Sequence, residues 1–180
     1  MKKSSSSFLL LICTTLILQS CEFNCSVGKK EDPKGTAVVK EDGARIYNSI
    51  DLQASGVKVD KAYLLFNDNA RVPDDNFVDF KKPIELVLLI DSGWTAKEGK
   101  VMLGASETIT AENGQVILQE DDLFNKYPDG LTAADAKIIY LSATLHLKEN
   151  AAPATFTVSF RVWDKNGNAF VQGSYKLYSK

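Results

Sequence analysis

Cysteine is nearly absent from this chain. There are three, Cys13, Cys21 and Cys25, and none beyond position 25. A domain built from the rest has no disulfide and no cysteine-based metal site, so apolar burial must hold it together. Histidine occurs once, at His146. A catalytic histidine needs a nucleophile and an orienting acid, and a lone one is poor material for a metal site. Arginine occurs three times, at the scattered positions 45, 71 and 161, within a formal charge of −2. Nucleic acid needs clustered Lys and Arg, so it is excluded as a partner. After the opening residues the densest apolar run is Leu86–Ile90, far short of the roughly 18 residues of a membrane span. No phosphate-binding glycine loop, cofactor fingerprint or thiol motif occurs. The expectation is a domain that is not an enzyme and holds no cofactor or metal.

What is present begins at the amino end. Lys2 and Lys3 precede four serines and an apolar run, Phe8–Leu18, which ends at Gln19-Ser20-Cys21. Eleven helical residues reach about 16 Å, roughly half of a 30 Å hydrocarbon layer. The pattern is therefore that of a cleaved signal peptide rather than a stable span.

Leu18-Gln19-Ser20-Cys21 resembles the lipobox of bacterial lipoproteins, with an aliphatic residue three before the cysteine and a small one just before it. The resemblance implies cleavage after Ser20 and a diacylglyceryl group on the Cys21 sulfur, with acylation of the new amine. One acyl chain holds a membrane only marginally, whereas two or more hold firmly at about 0.8 kcal/mol per buried CH₂. It further implies a protein of the bacterial envelope, by default on the periplasmic face of the outer membrane. Only Glu22 is acidic just behind the cysteine, so surface display is an alternative without a strong signal. Three segments are expected: residues 1–20 as signal, 21–35 as lipidated terminus and flexible tether, and 36–180 as one domain. Loss of Lys2 and Lys3 would move the charge from −2 to −4. As a tether, Glu22 to Lys34 would extend to roughly 40–45 Å.

From Thr36 onward strand signals dominate. Short strands are expected at Thr36–Val39 and Ala44–Tyr47, either side of a turn at Glu41-Asp42-Gly43. In Val57–Phe66 the alternation slips at Asp60-Lys61, which predicts a bulge. Ile84–Ile90 is apolar on both faces, as in a sheet centre. Asn113-Gly114 and Asn166-Gly167 predict hairpins. Lys137–Lys148 and Thr155–Trp163 alternate cleanly, the first with Ile139, Leu141, Ala143, Leu145 and Leu147 inward and Tyr140, Ser142, Thr144, His146 and Lys148 outward, the second with Phe156, Val158, Phe160 and Val162 inward. One or two helical turns are expected, within Glu120–Tyr127 and behind a capping box at Thr132–Asp135. About eight strands with frequent turns predict an all-β sandwich. The stretch Asp129–Tyr140, a turn and then a Tyr entering a long strand, resembles the approach to the tyrosine corner of immunoglobulin-like domains, which implies an immunoglobulin-like β-sandwich.

Candidate chemistry is sparse. Asp164–Asn168 begins like a calcium loop, but its sixth position is Ala169 and its twelfth Tyr175, so it reads as a hairpin turn. Asp74, Asp75 and Asp79, and Glu120, Asp121 and Asp122, are acidic groups that suit solvated loops, calcium or, remotely, glycoside hydrolysis. Trp94, in the loop after the central strand, forms the candidate ligand-binding set together with Asp121 and Asp122; Trp163 is a weaker candidate. Exposed aromatics at loop tips stack on sugars or anchor partners, although a sandwich tryptophan more often caps the core. The expected function is a lipid-anchored, non-enzymatic module that binds or supports another envelope component, a protein or a glycan. The alternative is a carbohydrate-binding module.

Overall fold

A computed structural model describes residues 22–26, 35–147 and 152–179. The signal sequence and Cys21 lie outside the described residues. Fifteen strands lie within the described residues: β1 (Glu22–Ser26), β2 (Val38–Val39), β3 (Arg45–Ile46), β4 (Asp51–Ser55), β5 (Lys58–Phe66), β6 (Phe77–Val78), β7 (Ile84–Ser92), β8 (Ala96–Lys97), β9 (Lys100–Val101), β10 (Leu103–Ala111), β11 (Val116–Glu120), β12 (Leu131–Thr132), β13 (Ile138–Thr144), β14 (Thr155–Asp164) and β15 (Phe170–Ser179). Six of these are two-residue pairings, which is why a count from sequence pattern arrives at about eight. Among the described residues helix is confined to 3₁₀ turns at Leu123–Lys126 and Asp135–Lys137.

The front sheet has the order β1-β13-β7-β5-β3-β2 and the back sheet β11-β10-β14-β15-β4, with β6 added in parallel beside β15. β8, β9 and β12 form a small third sheet. One apolar core lies between the two large sheets, as in a β-sandwich. Leu64, Leu86, Leu88, Ile139 and Leu141 enter it from the front; Ile109, Val158, Phe160, Val162 and Leu177 enter from the back. Each such side chain, fully buried, contributes roughly 1.5–3 kcal/mol.

The local chemistry explains much of this. The expected bulge is present: Val59 pairs with Ile90 and Lys61 with Leu89, leaving Asp60 as the extra residue. Asn113-Gly114 turns β10 into β11, with Gly114 at φ 84° and the Gly114 N–H donating to the Ala111 carbonyl. Asn166-Gly167 turns β14 into β15. At Thr132 the hydroxyl accepts the Asp135 N–H at 3.1 Å and donates to the Asp135 carboxylate at 2.8 Å, opening the second 3₁₀ turn.

Two features depart from the sequence reading. Tyr140 and Ser142 alternate onto the outer face of the front sheet, yet both are buried. That face carries its own apolar layer of Tyr47, Tyr63, Val87, Leu89 and Tyr140. Secondly, the segment expected as a flexible tether, residues 21–35, contains a strand. β1 lies antiparallel to β13 at the sheet edge, with Glu22 opposite Thr144 and Cys25 opposite Leu141.

Candidate functional site

The sandwich has two ends, and the loops sort cleanly between them. β10 runs from Leu103, opposite Asp164, to Ala111, opposite Phe156. The far end, where Leu103 lies, gathers the loop after β7, the β14–β15 hairpin and the first 3₁₀ turn. Asp164, 3% exposed, ties them together: its carboxylate accepts the Thr95 N–H at 2.7 Å and the Asn166 N–H at 2.8 Å. This is the chemistry of a hairpin turn whose first residue holds a neighbouring loop.

The sequence candidates fall at this same end but do not converge. Trp94 is half-buried, packs against the core and donates its indole N–H to the Ala136 carbonyl at 3.1 Å. Asp122 caps the first 3₁₀ turn through the Phe124 N–H at 3.0 Å, takes the Ala105 N–H at 3.2 Å and pairs with the Lys165 ammonium at 2.5 Å. It binds the back sheet to the hairpin. Asp121 is exposed, with Gln119 donating to it at 3.0 Å.

Asp121 lines a different feature, an open depression of about 620 Å³ on the outer face of the back sheet. Trp163, Arg161, Phe170, Ser106 and Asn168 line it too. Trp163 alternates outward, because its neighbours Val162 and Asp164 point in. Its indole lies flat across Gly104 on the next strand: a Cβ there would fall 2.2 Å from the ring. The Arg161 guanidinium sits 4.4 Å above the Phe170 ring and donates to the Gln172 side chain at 2.7 Å. Gln172 in turn donates to Gln53 at 3.0 Å. This ladder leads into a second shallow depression of about 320 Å³ that shares Arg161 with the first. Together they make a surface strip of half-buried rings, amides and one exposed cation. Such a strip suits a polar ligand with an apolar face, since rings supply stacking and amides supply paired donors and acceptors.

The remaining acids are occupied locally. Asp74 pairs with Arg71 and accepts the Thr36 N–H; Asp75 and Asp79 each accept a backbone N–H two residues on, at 3.1 Å. Among the described residues no three His, Cys, Asp or Glu side chains lie close enough to share a metal ion. Nor, among them, is any helix long and apolar enough to cross a membrane. His146 is exposed just beyond the end of β13.

One titratable group was missed by sequence reading. Glu107 points inward from β10 between Ala105 and Ile109 and is 1% exposed. Burial pushes its carboxyl pKa up to about 8, against a smaller opposing pull from the Tyr175 hydroxyl. That hydroxyl does not reach hydrogen-bonding geometry, and neither carboxyl oxygen has a partner. Tyr175 itself is pushed well above its ordinary value, by burial first and then by Glu107. Glu107 lines neither surface depression, so this pair belongs to the core rather than to the strip. No protein-family model matches the chain, and no curated protein sequence matches it.

Proposed function

We propose that this is a lipid-anchored protein of the bacterial cell envelope, whose β-sandwich binds or supports another envelope component without catalysing a reaction. The observation that carries the reading is the run from Lys2 to Cys21: a charged start, an apolar core too short to span, and an aliphatic and a small residue placed before a cysteine. The outer membrane, facing the periplasm, is the proposed site. Replacing Cys21 with alanine is expected to abolish incorporation of labelled fatty acid and to leave unprocessed precursor. Unchanged labelling would defeat the assignment.

A second reading, carbohydrate binding, is favoured by the Trp163 strip. Sugar rings offer one apolar face and a rim of hydroxyls, which matches flat indole and phenyl rings beside Arg161, Gln172 and Gln53. The probes are soluble β-glucan, chitooligosaccharides and muropeptides. Binding of any of them is expected to change tryptophan fluorescence, and Trp163→Ala should remove the change while Trp94→Phe keeps it. A response that survives Trp163→Ala, or no response to any probe, would count against this reading.

A further inference from the structure

We infer that the sandwich is mounted directly on the lipid surface, with the end where β1 begins resting on the bilayer and Trp163, at one end of its strip, carried at the opposite end. This rests on the reading of Cys21 as the lipidated residue. The argument starts from β1. Its first residue, Glu22, is already paired with Thr144 in the front sheet, and Glu22 is bonded directly to Cys21. One residue spans at most about 3.6 Å, whereas a 13-residue leash would span roughly 40–45 Å. A lipid on Cys21 would therefore be fixed to the edge of a sheet with no leash between them, and the sheet sets the orientation.

The elements at that end can be traced across both sheets. Ala143 pairs with Ile84, and Ile84 with Phe66. From Ile84 the chain leads back through Pro83 to Phe80, whose ring meets Phe156 of the back sheet at 5.3 Å. Phe156 is opposite Ala111, and Val116 follows across the hairpin. Val78 and Phe77 lie beside Ser179 and Tyr178 at the same end. Thus Phe77, 44% exposed, and Val116, 51% exposed, both sit here, two of the four exposed large hydrophobics among the described residues. The charged groups beside them are of both signs: Asp68 paired with Lys82, Asp75, Asp79, Lys81 and Glu112. Among the described residues no basic cluster is present here to seek anionic lipid, so apposition should come from the short link and apolar contact and should tolerate salt. The far end, with its Asn166-Gly167 hairpin, lies one strand length away, about 30 Å for nine residues. The bilayer therefore leaves the Trp163 end of the strip open to whatever it meets.

The test uses the full lipidated protein in vesicles of phosphatidylethanolamine and phosphatidylglycerol doped with a nitroxide-headgroup lipid. In a Cys25→Ser background, a single fluorescent label is placed through Val116→Cys or Phe77→Cys at the near end, or Asn166→Cys at the far end. Both near labels are expected to be quenched several-fold more than the far one, equally at low and high salt. A ten-residue Gly/Ser spacer between Cys21 and Glu22 is expected to erase the contrast. Equal quenching at both ends, on protein whose lipid mass is confirmed, would overturn direct mounting and leave the anchor intact. A contrast that survives the spacer would overturn the short link as its cause. An unmodified Cys21 in the same mass spectrum would overturn the anchor, and direct mounting with it.

Discussion

Replacing Glu107 with glutamine should stabilise the domain at pH 8 by about 3–5 kcal/mol and leave it nearly unchanged at pH 5. In the unfolded chain this carboxyl titrates near its ordinary 4.5; in the folded core it keeps its proton up to about 8. Between those values the folded state binds more protons than the unfolded state. The sign is therefore unusual for an acid: its contribution is most favourable below pH 4.5, is lost as pH rises, and is fully lost above 8. Each pH unit in the window costs about 1.4 kcal/mol. Measured against a total of roughly 5–15 kcal/mol for a domain, this is a large fraction. Denaturant midpoints collected from pH 5 to pH 8 should fall for the wild type and stay flat for Glu107→Gln. Glu107→Met, of similar size and without buried oxygens, should be at least as stable throughout. Parallel profiles for wild type and Glu107→Gln would show that the carboxyl escapes the desolvation described above.

The second large effect concerns a pair of buried amides. Asn48 and Asn76 are 2% and 3% exposed, and both hold the left-handed backbone region, at φ 54° and 58°. The Asn48 side-chain oxygen accepts the Leu64 N–H at 3.1 Å, and its amide donates to Asn76 at 2.9 Å and to the Pro73 carbonyl at 3.0 Å. Asn76 donates to the Asn48 and Lys176 carbonyls, each at 2.8 Å. The pair thus stitches β5 of the front sheet to β15 of the back sheet. Asn48→Ala would strand the Leu64 N–H and the Asn76 oxygen in the interior. A loss of about 3–5 kcal/mol is expected, seen as a lower urea midpoint at unchanged slope. Asn48→Gly, which tolerates positive φ, should lose nearly as much, because the hydrogen bonds rather than the backbone angle dominate. A loss below about 1 kcal/mol for both would mean that water replaces the amide.

Much of the fold was legible because its signals are local. Gly114 needs only its own backbone freedom to help turn a hairpin, Asn166-Gly167 falls between two clearly alternating strands, and the slip at Asp60 shows in the phase of its neighbours. The apolar run Leu86–Ile90 announces a strand covered on both faces. What escaped depends on distant partners. β4 has a single buried residue, Leu52, too little alternation to stand out, and β1 is recognisable only once β13 is beside it. Asn48 and Asn76 look like ordinary loop residues until the chain brings them together. Glu107 did leave a trace, since it shares a period of two with Ile109 and Ala105, but a carboxyl on an apolar stripe reads as a break in the pattern. The two tryptophans show the same limit. A loop position favoured Trp94, yet its ring turns to the core, whereas the alternation of β14 already places Trp163 out of phase with the buried residues.

The pairing of β1 with β13 also bears on how the chain assembles. A polypeptide is made from its amino end, so one of the first segments to emerge must wait for one of the last. At about 5–20 residues per second the delay is on the order of ten seconds. Over that interval the growing chain can close its local hairpins, while the border strand stays unpaired and open to capture by chaperones or by another copy. Completion of the front sheet is therefore a late event, and a nascent chain halted before β13 would leave that border exposed.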